Sequence, residues 1–141
     1  MRVLLTGSRT WKRRGPIEMM ILGMKVLYTD LHFILGDCPT GLDKIARDIC
    51  EEFCISNEVY TADWGIGKGA GPERNARMVA AKPDVAFAYR EEGRSPGTDN
   101  CIEQARHSGI PCYTIRPLAP QIGMTVDGIK GYKYNSEVEG L

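Results

Sequence analysis

Short apolar runs alternate with longer segments of helical periodicity along most of the chain. Five runs have the length and composition of β-strands: Arg2–Thr6, His32–Gly36, Glu58–Ala62, Asp84–Tyr89 and Pro111–Ile115. Between them, four segments carry apolar residues at helical spacing: Pro16–Tyr28, Leu42–Cys54, Pro72–Ala81 and Thr98–Ser108. The pattern therefore predicts strands and helices in regular alternation.

This alternation predicts how the strands are arranged. Strands separated by helices of this length are joined by right-handed crossovers and lie parallel to one another. The strands are almost continuously apolar, as expected of a parallel sheet that is covered on both faces. We predict an α/β fold, namely a three-layer Rossmann-like sandwich with a mainly parallel sheet of about five strands.

The last two dozen residues break this pattern with four glycines and scattered charges. We predict one domain over residues 1–117 and a C-terminal tail over residues 118–141. The tail is interpreted either as a flexible terminus or as an arm that packs on a partner subunit. The arm would use Ile122, Met124, Val126 and Ile129.

Composition limits the classes of function. The 18 basic residues balance 18 acidic ones, which argues against a DNA-coating protein, so we expect no nucleic-acid partner. The N-terminal apolar run is too short for a secretory signal, and no span approaches the roughly 20 apolar residues that cross a membrane. We expect a cytoplasmic protein without a membrane partner.

The five cysteines are odd in number and have no paired C-x-x-C spacing. Reduced thiols in the cytosol are the simplest interpretation. Cys50 and Cys54 have the spacing to share a metal ion, but no histidine or second cysteine pair is near them in the sequence. We therefore expect neither a metal site nor a separate cofactor.

The candidate chemistry lies in the loops that follow the first four strands. Ligands of open parallel sheets bind beyond the carboxyl ends of the strands, and glycine-rich loops before helix N-termini attract phosphate. The candidate ligand-binding residues are Gly7, Ser8, Arg9 and Trp11 after the first strand, Gly36, Asp37, Gly41 and Asp43 after the second, Trp64, Gly71, Arg74 and Asn75 after the third, and Gly97 and Thr98 after the fourth.

Two familiar phosphate motifs are missing from these loops. No G-x-x-x-x-G-K-[ST] sequence occurs, which excludes a P-loop, and no G-x-G-x-x-G follows the first strand, which argues against a dehydrogenase-type dinucleotide site. The glycine-rich run Gly65–Gly71 lacks the strand and helix context of such motifs, and we predict a mobile loop there.

The basic candidates favour an anionic ligand. An arginine in the first turn of a helix opposes the helix dipole, so we expect Arg74 to face a bound phosphate rather than bulk solvent. Arg9 is expected to be a second anion contact, with a salt bridge to Asp37 or Asp43 as the alternative.

The remaining candidates have two interpretations each. Asn75 would either hydrogen-bond a ribose or base, or cap its turn. Trp11 and Trp64 would either stack on a base or close the core at a loop root. Asp43 would either contact the ligand or brace its loop, or only favour the N-terminus of its helix.

Five segments in order carry a family resemblance: "VLLTGSRTW", "GDCPTGLDKIA", "ADWGIGKGAGPERNARMV", "GTDNCIEQAR" and "GIPCYTI". Over roughly Met1 to Pro117 the chain resembles the YspA-like family of the SLOG superfamily, which also contains the LOG phosphoribohydrolases and the DprA/SMF proteins. The resemblance implies a Rossmann-like fold that binds nucleotides or nucleotide-derived ligands.

Two functional segments of the LOG enzymes have counterparts in this chain, but a catalytic position of the second segment differs. Their E-R-K-x-x-M segment supplies a catalytic arginine, which corresponds to Arg74, and their P-G-G-x-G-T-x-x-E segment corresponds to Gly97 and Thr98. The glutamate of the second segment is replaced by Cys101. A cysteine cannot stabilise the cationic ribosyl transition state of glycosidic cleavage at neutral pH.

We therefore expect a protein that binds a nucleoside monophosphate or an NAD- or ADP-ribose-related molecule as a sensor or sequestering agent. The alternative is a nucleotide N-glycosidase or phosphoribohydrolase that uses Arg74 with an unidentified carboxylate, for which Asp37, Asp43 and Asp99 are candidates. DprA-like handling of single-stranded DNA is a third hypothesis. A homodimer through the apolar helix Pro16–Tyr28 is the expected oligomer.

Overall fold

The structure, a computed structural model, describes residues 1–117 and the backbone of residues 124–127. Its strands are β1 (Arg2–Gly7), β2 (His32–Gly36), β3 (Asn57–Tyr60), β4 (Val85–Tyr89), β5 (Cys112–Pro117) and β6 (Met124–Asp127). Its helices are α1 (Arg14–Leu27), α2 (Gly41–Glu52), α3 (Ala70–Ala80) and α4 (Pro96–His107). Within the described residues, no helix has the length and apolar character needed to cross a membrane.

The strands form one sheet in the order β3-β2-β1-β4-β5-β6. Strands β1 to β5 are parallel, and β6 pairs antiparallel with β5. The predicted α/β fold with a mainly parallel sheet of about five strands is confirmed. Strand β6 falls in the segment predicted as a tail, and residues 118–123 and 128–141 of that segment lie outside the described residues.

The helices cover both faces of the sheet. Val3 and Leu5 of β1 point to the face covered by α1 and α2, whereas Leu4 between them points to the face covered by α3 and α4. Two apolar cores result, and Ile17, Ile21 and Ile49 fill the first while Met78, Ile102 and Ala105 fill the second. The three layers predicted from the sequence are therefore present.

The segment between β3 and α3 differs from the prediction. Trp64–Gly69 forms 3₁₀ turns rather than an irregular loop, with a kink at Gly67, where φ is 85° and ψ is −147°. The Asp63 carboxylate accepts a hydrogen bond of 3.0 Å from the Gly65 N–H and so caps the first turn. This side-chain cap and the positive φ of one glycine give the run a defined geometry.

Candidate functional site

A cleft opens at the carboxyl edge of the sheet, at the point where the strand order reverses between β1 and β4. Open α/β sheets bind ligands at such a switch point. The cavity volume is about 610 Å³, within the range of small-molecule sites. The lining residues are Thr6, Gly7, Ser8, Arg9, Thr10, Asp37, Cys38, Pro39, Asp43, Trp64, Arg74, Arg94, Ser95, Pro96, Gly97 and Thr98.

An ion pair forms the floor of this cleft. Nη1 of Arg74 lies 2.7 Å from Oδ1 of Asp37, and the Arg74 side chain is only 11% exposed. The other Asp37 oxygen accepts the Ala62 N–H at 3.2 Å, and Arg74 Nε donates to Asn75 at 3.1 Å. Arg74 is thus a cleft residue rather than a solvated one, and Asp37 already balances part of its charge.

Asp43 is the second carboxyl group of the floor, and it is buried. Its Oδ2 accepts the Cys38 N–H at 3.1 Å. Burial raises the pKa of Asp43 above its ordinary value, although that N–H and the positive charges of Arg74 and Arg47 act in the opposite direction. The protein therefore keeps a carboxyl group at the cleft floor in surroundings that disfavour its ionised form.

Two glycines predicted as ligand contacts shape the cleft without lining it. A Cβ on Gly36 would lie 2.5 Å from Oδ2 of Asp43 and 2.8 Å from Nη1 of Arg74. Gly41 has a φ of 70°, and a Cβ there would lie 2.2 Å from the Ser8 carbonyl oxygen. Glycine at these positions allows the floor groups to close over the end of β2 and allows two loops to meet.

The first turn of α4 forms one end of the cleft. Ser95, its N-cap residue, makes no side-chain hydrogen bond to a backbone N–H of the first turn. Its hydroxyl donates instead to the Thr98 hydroxyl at 2.8 Å and lies 3.2 Å from the Ser8 hydroxyl. The backbone N–H groups of Gly97 and Thr98 have no intrahelical partner, because they belong to a first turn. Three hydroxyls therefore lie in a row of contacts at the start of α4, the helix end that carries these two N–H groups.

Arg9 and Trp64 face each other at the rim. The Arg9 guanidinium carbon lies 5.7 Å from the centre of the indole ring, in a cation–π contact. Among residues 1–117, Arg9 makes neither of the salt bridges considered from the sequence. Trp64 is 55% exposed, so of its two interpretations the closing of the core is wrong.

Three other candidates lie behind the cleft, and none of them is part of its lining. Trp11 is 2% exposed, packs edge-on against Tyr89 and donates its indole N–H to the Arg13 carbonyl. It therefore closes the core at the root of its loop. Asn75 is buried and donates to the Gly97 carbonyl at 3.1 Å, which ties α3 to α4. Gly71 is buried in the first turn of α3.

The position of the LOG glutamate does not face the cleft. Cys101 is fully buried in the second apolar core, and burial raises the pKa of its thiol to about 12. Asp99 is ion-paired with Arg90 at 2.6 Å and borders a separate depression beside β5. Of the three carboxylates considered for catalysis, Asp37 and Asp43 alone are at the cleft.

Seven residues of the lining were missed by sequence reasoning. They are Thr6, Thr10, Cys38, Pro39, Arg94, Ser95 and Pro96. A signal existed for Arg94 and Ser95, because a basic residue and a serine directly before a helix that begins with proline indicate an anion-binding helix start. Among the described residues, no group of His, Cys, Asp and Glu could hold a metal ion.

Comparison with known proteins finds a relative from a bacteriophage. The chain is 37% identical to the Gene 61 protein of Mycobacterium phage D29 over 122 residues, which cover 78% of this chain and 92% of the phage protein. No family model matches the chain.

Proposed function

The chain belongs to the family of the Gene 61 protein of Mycobacterium phage D29, and we propose that it binds a nucleotide or nucleotide-derived ligand in the cleft. The observation that carries this proposal is the convergence of the uncapped α4 N-terminus, the Ser8, Ser95 and Thr98 hydroxyls, and arginine side chains on one cavity at the switch point.

These groups suit a phosphate. A helix N-terminus carries a partial positive charge, and its free N–H groups donate to phosphate oxygens. Arg9 and Arg94 line the cleft and make no ion pair among the described residues, so their charges are available to a ligand. Arg74 adds a third guanidinium, held in one orientation by Asp37 and Asn75.

The resemblance to the SLOG superfamily supports a nucleotide as the carrier of that phosphate. We place the chain in this superfamily and propose a nucleoside monophosphate, or an NAD- or ADP-ribose-related molecule, as its ligand. The protein would act in the cytoplasm as a sensor or sequestering protein, and as a homodimer.

Isothermal titration calorimetry with AMP, GMP, CMP, UMP, NAD and ADP-ribose tests the binding. Arg74→Ala is expected to weaken binding of the best of these ligands about 10- to 100-fold, because hydrogen bonds to charged groups contribute about 1.5–3 kcal/mol. Arg77→Ala is the matched control. Arg77 lies on the same helix but is not part of the cleft lining, and its Nε is paired with a Glu73 oxygen at a distance of 2.8 Å.

The proposal fails if none of these ligands produces heat or raises the melting temperature at millimolar concentration, because a ligand specific to the folded state must stabilise it. Equal losses in Arg74→Ala and Arg77→Ala would point to a general charge effect rather than a site.

One observation favours a second candidate function, hydrolysis of the N-glycosidic bond. Asp37 and Asp43 lie at the cleft beside Arg74, and a carboxyl group with a raised pKa can donate a proton to a leaving base. Water would add to C1′ of the ribose as the bond to the base breaks, and the carboxyl group that protonates the leaving base would regain its proton from that water. Release of free base from AMP, measured by chromatography and lost in Asp43→Asn, would support this function; intact AMP after long incubation would exclude it for that substrate.

A further inference from the structure

Trp64 is an exposed aromatic side chain at the cleft. It begins the 3₁₀ segment that Asp63 caps, and its ring lies over the first turn of α3, 3.7 Å from the position that a Cβ on Gly71 would take. One edge of the ring thus lies beside the first turn of α3, while more than half of the side chain remains open at the cleft.

The exposed ring already has a cation near its face. The planar guanidinium of Arg9 lies over it at 5.7 Å, and Arg9 has no ion-pair partner among the described residues that would hold it there. Guanidinium groups and nucleobases both stack on aromatic faces. An exposed cation–π contact is weaker than base stacking, so a base can replace the guanidinium.

The two ends of the cleft are lined by different kinds of residue. Its lining follows the strand order, with Trp64 after β3 at one end, Asp37 after β2 and Ser8 after β1 in the middle, and Gly97 after β4 at the other end. Neighbouring strands lie about 4.8 Å apart, so the ends of β3 and β4, which are three strand positions apart, are separated by about 14 Å. The aromatic and anion-binding ends are therefore distinct, with carboxyl groups and hydroxyls between them.

We propose that the indole of Trp64 is the stacking surface for the nucleobase of the ligand, which takes the place of Arg9 on the ring while the phosphate lies at the start of α4; this inference rests on the proposed function. The ligand class is then a nucleoside 5′-phosphate or a larger molecule that contains one. Recognition by stacking accepts every base, because each has an aromatic face.

Calorimetry with AMP and ribose 5-phosphate tests this assignment, since the two probes differ by the base alone. In the wild type, AMP is expected to bind at least about 10-fold more tightly than ribose 5-phosphate. Trp64→Ala is expected to weaken AMP binding between about 5-fold and about 150-fold and to leave ribose 5-phosphate unchanged. Trp64→Phe should restore part of the AMP affinity.

Ile66→Ala is the matched control, because Ile66 lies in the same 3₁₀ segment, is 58% exposed and is not part of the cleft lining. Fluorescence gives an independent readout, since the chain has two tryptophans and Trp11 is buried. AMP should change the emission of the wild type and of Ile66→Ala, but not that of Trp64→Phe.

The outcomes separate the two proposals. Equal AMP affinity in the wild type and Trp64→Ala would overturn the role of Trp64 and leave the phosphate site standing. Absence of binding by both probes in the wild type, together with failure of the nucleotides named above, would overturn the proposed function and the role of Trp64 with it.

Discussion

At the scale of single residues, the burial of Asp43 predicts how the stability of the protein depends on pH. Burial raises its pKa above the ordinary 3.8, so the folded state holds this proton more tightly than the unfolded state. The free energy of unfolding therefore falls as the pH rises from about 3.8 through the folded pKa. Above both values the wild type carries an ionised buried carboxylate, and Asp43→Asn is expected to melt at a higher temperature at pH 8.

The difference in melting temperature should shrink as the pH falls through the folded pKa of Asp43, because the carboxyl group of the wild type then becomes protonated. Asp48→Asn, at a half-buried position on the same helix that pairs with Lys44, is the control, and this variant should not melt above the wild type at pH 8. If Asp43→Asn melts below the wild type at pH 8, then Arg74 and Arg47 favour the ionised form more than burial opposes it.

The second prediction at this scale concerns the effect of Gly36→Ala on stability and nucleotide affinity. A methyl group in Gly36→Ala would meet Oδ2 of Asp43 at 2.5 Å and Nη1 of Arg74 at 2.8 Å, so the floor of the cleft must rearrange. Overpacking of this kind costs about 1–3 kcal/mol of unfolding free energy, and we expect nucleotide affinity to fall with it. Gly69→Ala, with open space around its Cβ position, is the control for calorimetry and thermal melting.

The candidate residues show what sequence can and cannot predict. Loop position identified Arg74 and Thr98, because the carboxyl ends of parallel strands meet at one edge. The same reasoning could not separate Trp11, which packs against Tyr89 in the core, from Trp64, which lies at the rim. Burial of a loop residue depends on contacts with residues that are far away in the sequence, and no local sequence pattern predicts those contacts.

At the scale of elements, α1 carries a prediction about assembly. Its buried side includes Ile17 and Ile21, but Met19, Val26 and Leu27 on the same helix are at least 75% exposed. A second copy of the chain could cover these side chains, which is the dimer expected from the sequence. Val26→Asp is expected to convert the dimer to a monomer in sedimentation analysis, because it places a charge in an apolar contact.

Glu103→Lys, a change of charge on the exposed side of α4, is the control for this variant and should leave the dimer intact. A wild-type chain that sediments as a monomer at tens of micromolar would rule out the dimer.

Elements themselves were well predicted, because apolar periodicity is local. Strand β2 lies at the residues expected, whereas α1 begins at Arg14, before the proline that was taken as its start. The 3₁₀ segment Trp64–Gly69 was missed because its geometry depends on one side-chain cap and the positive φ of Gly67. A glycine-rich sequence alone is equally compatible with an irregular loop.

At the scale of the whole molecule, the cleft depends on the order of the strands. The pairing of β1 with β4 places Ser8 beside the first turn of α4, 87 residues away in the sequence. Periodicity predicted parallel strands but not their order, and the switch point between β1 and β4 follows from that order. The site could therefore be assigned to four loops from the sequence, but its shape required the structure.

Native mass spectrometry of the protein with an equimolar mixture of AMP, GMP, CMP, UMP, NAD and ADP-ribose tests nucleotide binding most directly. We predict one nucleotide bound per chain in the wild type and in Arg77→Ala, and a clearly smaller bound fraction in Arg74→Ala at the same nucleotide concentration. A wild-type spectrum that shows only the bare chain at millimolar nucleotide would contradict the proposal that this cleft is a nucleotide site.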